Sequence, residues 1–78
     1  MSTQFSSIEE VLKLLRDGGW HDLGDVMRKT GLHEFRFGLI VDFLVKYNFV
    51  VLDKKHTKIR LTPALVHFLR DIEALETQ

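Results

Sequence analysis

Residues 22–50, DLGDVMRKTGLHEFRFGLIVDFLVKYNFV, decide the fold. The carboxylate of Asp22 is placed to cap a helix, and Leu23, Val26 and Met27 then fall on one helical face. Thr30-Gly31 ends that helix. Three residues on, a further helix is expected from about Glu34 to Tyr47. Asn48 sits where a helix turns left-handed, a conformation Asn tolerates better than most residues. At about 100° per residue, Phe37, Ile40, Val41 and Leu44 form the buried stripe of this helix. Phe35, Leu39, Asp42 and Lys46 make up the opposite face, flanked by Arg36 and Phe43. The stretch therefore encodes two helices joined by a tight turn.

Working outward, Ser7 and Glu10 read as a capping box that starts an earlier helix, whose buried face is Ile8, Val11, Leu12 and Leu15. Gly18-Gly19 stops it, and Trp20-His21 forms a short extended link. Beyond Asn48 the period changes to that of strands. FVVLD (49–53) and KIRLT (58–62) are expected to form a hairpin closed by Lys54, Lys55, His56 and Thr57. Ile59 and Leu61 point to one side of the second strand, and Lys58, Arg60 and Thr62 to the other, so one face is wet and basic. Thr62-Pro63 then opens a last helix over 63–75, with Thr62 as cap and Pro63 where its missing N–H costs nothing. Leu65, Phe68, Ile72 and Leu75, spaced three, four and three, make a two-heptad seam that Leu69 broadens. A terminal helix with such a seam commonly pairs with its own copy.

The order helix, short strand, helix, tight turn, helix, hairpin, helix resembles the winged helix-turn-helix DNA-binding superfamily over residues 7–75. Gly31-Leu32-His33 matches the turn of that superfamily, and Phe37, Val41 and Leu44 match its apolar offsets beyond the Leu. Asn48 stands where the superfamily usually has Gly, ahead of Phe49-Val50. RLTPAL, residues 60–65, looks like the strand-to-helix junction of small bacterial and archaeal regulators. The fold class so implied is mainly α with a small β-hairpin wing, in the order α-(β)-α-α-β-β-α.

The resemblance implies that the third helix enters the DNA major groove while the wing touches the backbone. Arg28, Lys29, Lys54, Lys55, Lys58 and Arg60 are the candidate backbone contacts. His33, Glu34, Phe35, Arg36 and Leu39 are the candidate groove contacts, with Arg36 alone suited to a bidentate bond to guanine. Leu65, Phe68, Leu69, Ile72 and Leu75 are the candidate dimer interface. Phe35 and Leu39 suit an interface with another protein as readily as they suit thymine methyl groups, so a protein-interaction module is the competing expectation. A further alternative has the segment around Phe5 fold over them.

Composition narrows the remaining classes. Seventy-eight residues, 45% hydrophobic and 28% charged, make one domain spanning 1–78, its core within 7–62. Without cysteine there is no disulfide framework and no thiolate zinc site. The absence of a long apolar run and of a signal core leads to the expectation of a cytoplasmic protein that does not contact membranes. Eleven Lys and Arg balance eleven Asp and Glu, but unevenly. Basic against acidic residues run two to five over 1–27, eight to three over 28–60, and one to three over 61–78. A basic middle suits a polyanion. His21, His33, His56 and His67 fall in four different segments, and the only serines are Ser2, Ser6 and Ser7. No catalytic site, metal or cofactor is expected. The expected function is a homodimeric transcription regulator whose partner is double-stranded DNA.

Overall fold

In a computed structural model of the chain, which describes residues 6–77 and their side chains from Ser7 on, the elements follow the apolar periodicity. Helix α1 (Ser6–Leu14) leads to strand β1 (His21–Asp22), helix α2 (Leu23–Thr30) and helix α3 (Glu34–Lys46). Strands β2 (Val50–Leu52) and β3 (Lys58–Leu61) and helix α4 (Pro63–Glu76) complete the order. The protein is mainly helical, with a small three-stranded antiparallel sheet in the order β1-β3-β2.

The helix ends obey backbone chemistry. The Asp22 carboxylate accepts the Asp25 N–H at 3.1 Å and caps α2. Gly31, at φ 71°, closes α2 by donating its N–H to Met27 and Arg28 carbonyls. Only glycine takes that left-handed conformation without steric cost. Asn48, at φ 64°, does the same after α3 and lets Phe49 donate to the Leu44 carbonyl at 2.8 Å, which turns the chain into β2.

One core collects a face from almost every element: Val11 and Leu15 from the first helical segment, Val26 from α2, and Val50, Ile59 and Leu61 from the sheet. Helix α3 contributes Phe37, Ile40, Val41 and Leu44, the stripe expected of it. Register follows from this burial, because pairing Val50 with Leu61 and Leu52 with Ile59 turns all four inward and leaves Val51 and Arg60 outside. The Trp20-His21 link gains a partner as well. His21 pairs with Ile59 and Asp22 with Lys58, so β3 becomes the central strand.

Two local expectations are corrected. Helix α1 already includes Ser6, so Ser7 lies inside its first turn rather than in the extended conformation an N-cap needs. Among the described residues no hydrogen bond joins Ser7 to Glu10, and the capping box does not form. Thr62 has the backbone of an N-cap, φ −66° and ψ 151°, but its hydroxyl makes no capping bond. It donates instead to the Asn48 carbonyl at 3.1 Å, tying the hairpin exit to the end of α3. The strands are also one or two residues shorter than their apolar runs, and Phe5 lies outside the described residues.

Candidate nucleic-acid interface

The α2–α3 turn is held at its second half by His33. Its Nδ1 accepts the Phe35 N–H at 3.3 Å, so the imidazole caps α3 and its other nitrogen carries the ring proton. From that fixed start, α3 exposes Glu34, Phe35, Arg36, Leu39 and Asp42 while burying its stripe. Phe35 is 72% exposed and Leu39 53%, which makes the outward face chiefly apolar with Arg36 as its nearest cation. No Cβ would meet anything within 4 Å at Gly38, so the middle of this face is open.

The hairpin tip is built around Asp53. Its carboxylate accepts the backbone N–H groups of Thr57, at 2.7 Å, and Lys58, at 3.0 Å, and the Thr57 hydroxyl at 3.1 Å. These bonds, that from Lys58 foremost, hold the Asp53 carboxyl below its ordinary pKa. His56 takes a left-handed conformation, φ 57°, to close the loop. The result is a tethered tip from which Lys54, Lys55 and Lys58 project into solvent.

Pairing separates the expected cations. Arg28 bonds to Asp25 one turn earlier on α2, which cancels its charge locally. Among the described residues no carboxylate lies within ion-pair distance of Lys29, Arg36, Lys54, Lys55 or Lys58. Arg60 is half-buried on the outer face of β3. Its guanidinium lies over the Trp20 ring, 4.7 Å from the centroid, and its Nε is buried without a partner. Arg60 is thus committed to the sheet face more than to solvent.

The expected seam on α4 is divided. Leu65 and Leu69 pack against the core, and Leu69 and Ile72 line a cleft with Leu12 of α1, where Arg16 pairs with Glu73. Phe68 and Leu75 remain 57% and 74% exposed. Phe68 instead borders a groove of about 480 Å³ with Tyr47, Phe49 and Ala64. The rings of Phe43 and Tyr47 lie 5.0 Å apart, and those of Tyr47 and Phe49 6.5 Å apart. This aromatic run was not singled out from the sequence, although Phe43, Tyr47 and Phe49 at spacings of four and two across a helix end were a usable signal. The Asp53 tether is not read from the sequence either, because it reaches amides four and five residues on rather than the two of an ordinary Asx turn.

The arrangement offers solvent-facing cations and apolar side chains. Among the described residues no three His, Asp or Glu side chains converge as metal ligands do, and no helix is long and apolar enough to cross a membrane. No family model, curated protein or solved structure matches the chain.

Proposed function

We propose that the chain is a winged helix-turn-helix domain that binds duplex DNA as a homodimer and regulates transcription. The observation that carries this reading is the hairpin tip: three solvent-facing lysines with no acidic partner among the described residues, on a loop fixed by the Asp53 tether. Lysines held at a protruding tip replace condensed counterions on phosphate, and the entropy of their release drives binding. Lys29 and Arg36 extend the cationic surface along the helix-turn-helix. Arg28 contributes less, because Asp25 already pairs with it.

On this reading the wing sits on the phosphate backbone and the start of α3 enters the major groove. Arg36 reads guanine, while Phe35 and Leu39 touch thymine methyl groups. With one strong polar reader and with Asp42 nearby, base specificity is low and DNA shape carries much of the preference. The two copies of α3 in the dimer lie about 34 Å apart, one turn of duplex. Binding to random duplex at two salt concentrations tests the proposal: affinity falls steeply with salt if the lysines contact phosphates, and no binding at low salt overturns it.

The exposure of Phe35 and Leu39 favours a second reading, a protein-interaction module that uses the apolar face of α3. Phe35→Ala separates the two. It changes DNA binding under the first reading, and under the second it abolishes a protein complex in a chain with no DNA affinity to lose.

A further inference from the structure

We infer that the aromatic surface formed by Phe43, Tyr47 and Phe49 together with Phe68 and Leu75 of α4 is where a second copy of this chain docks. The inference deepens the homodimer reading, and it narrows the seam contact to Phe68 and Leu75 and joins them to the aromatic run at the end of α3. Leu69 and Ile72 are half-buried and border the cleft against α1, while Leu65 packs on the core and lines the same groove as Phe68.

Three features select a second copy. The surface is continuous: Phe43 touches Tyr47, Tyr47 approaches Phe49, and Tyr47, Phe49 and Phe68 line one groove. Phe68 and Leu75 stand seven residues apart on one side of α4 and prolong it. Its area fits as well. Exposures of 43% for Phe43, 54% for Tyr47, 38% for Phe49, 57% for Phe68 and 74% for Leu75 leave about 500 Å² of apolar side chain per copy, taking roughly 200 Å² for each full side chain. A standard interface buries about 800 Å² per partner, and homodimer interfaces are about 65% apolar. The surface therefore supplies the apolar share of one standard self-interface.

Shape completes the case. The exposed Phe68 borders an open groove that Ala64 and Leu65 also line, so a two-fold axis beside them lets each copy's Phe68 enter the other's groove, as self-complementary contacts require. Lys46 lies over the outer Tyr47 ring, 5.6 Å from its centroid, and forms part of a polar rim.

Sedimentation equilibrium of the full chain without DNA tests the inference. The unmodified chain is expected at twice the chain mass. Phe68→Glu and Tyr47→Lys, both at positions more than half exposed, are each expected to shift it to the chain mass with unchanged helical circular dichroism. Ile72→Ala, facing α1, is expected to lower the unfolding midpoint while the folded chain stays dimeric. A monomeric unmodified chain overturns the inference, whether residues 1–5 or another protein then cover the surface. So do variants that stay dimeric. If one variant unfolds, the mass of the other decides. Since the wing lysines lie outside this surface, salt-dependent DNA binding by a monomer would leave the DNA reading standing while the dimer surface fell.

Discussion

Arg60 and Trp20, forty residues apart in sequence, meet face to ring on the outer side of the sheet, with the guanidinium carbon 4.7 Å from the indole centroid. The β1–β3 pairing brings them together, since His21 sits opposite Ile59 and its neighbours follow. A cation over a partly exposed indole contributes about 0.5–1 kcal/mol, more where water is excluded. Trp20→Ala is expected to lower unfolding free energy by about 1 kcal/mol in urea titrations. Trp20 is the only tryptophan, so Arg60→Ala is also expected to shift its emission. An unchanged midpoint and spectrum would show that the stack contributes nothing.

Asp53 makes the β2–β3 hairpin pH-sensitive. Its carboxyl is held below the ordinary value by the bonds from Lys58 and Thr57, so the unfolded chain takes up this proton first as pH falls. The stabilisation is fully present above the ordinary carboxylate range, about pH 4, and is lost as pH drops through the lowered native value. Amide exchange at Thr57 and Lys58 is expected to show less intrinsic protection at about pH 3 than at about pH 6. Asp53→Ala is expected to abolish that dependence at both amides. Asp17, lowered mainly by the hydrogen bond from His21 and next by that from the Gly19 N–H, behaves in the same sense at the other end of the sheet.

Helix α3 carries a removable weakness. Gly38 lies in its interior, and an added Cβ meets nothing within 4 Å. Gly38→Ala is expected to stabilise the fold by about 0.5–1 kcal/mol in thermal or urea unfolding. Leu44→Ala, at a side chain with no exposed surface, is expected to cost about 2–5 kcal/mol. Destabilisation by Gly38→Ala would indicate that the open face of α3 is already covered.

On the proposed DNA-binding reading, the candidate contacts divide into backbone and base contacts. Lys54, Lys55 and Lys58 changed together to Ala are expected to weaken binding to all sequences alike and to reduce the salt slope by about one unit per lost phosphate contact. Arg36→Ala is expected to cost about 1–3 kcal/mol on a preferred site and little on random duplex. Titrations of both variants against both duplexes check this, and an equal effect of Arg36→Ala on the two would remove it from base recognition.

Much of this architecture is legible in the residues because the signals are local. The stripe of Phe37, Ile40, Val41 and Leu44 obeys one period. Gly31 and Asn48 mark helix ends by a backbone conformation few other residues tolerate. What escapes is pairing across distance. Periodicity on α4 shows a stripe but not which neighbour covers it, so Leu69 and Ile72 read the same as Phe68 and Leu75 until α1 is in place. The Asp25–Arg28 pair, three residues apart on one helix, is by contrast a local signal, whereas the basic character of Arg60 says nothing of the Trp20 ring beneath it. Thr62 is a cap by type, but its hydroxyl donates to the Asn48 carbonyl fourteen residues back and makes no capping bond.

The most direct measurement is fluorescence anisotropy of a labelled random duplex titrated with the unmodified chain across a series of salt concentrations. If the wing lysines of both copies meet the phosphates, the logarithm of affinity falls linearly with the logarithm of salt at a slope near −5, about −0.9 for each of six contacts. The triple Lys54, Lys55 and Lys58 to Ala variant then loses most of that slope and keeps only what Lys29 and the other helix cations contribute. No anisotropy change at low salt, or a slope the triple variant leaves untouched, would contradict duplex binding through the wing.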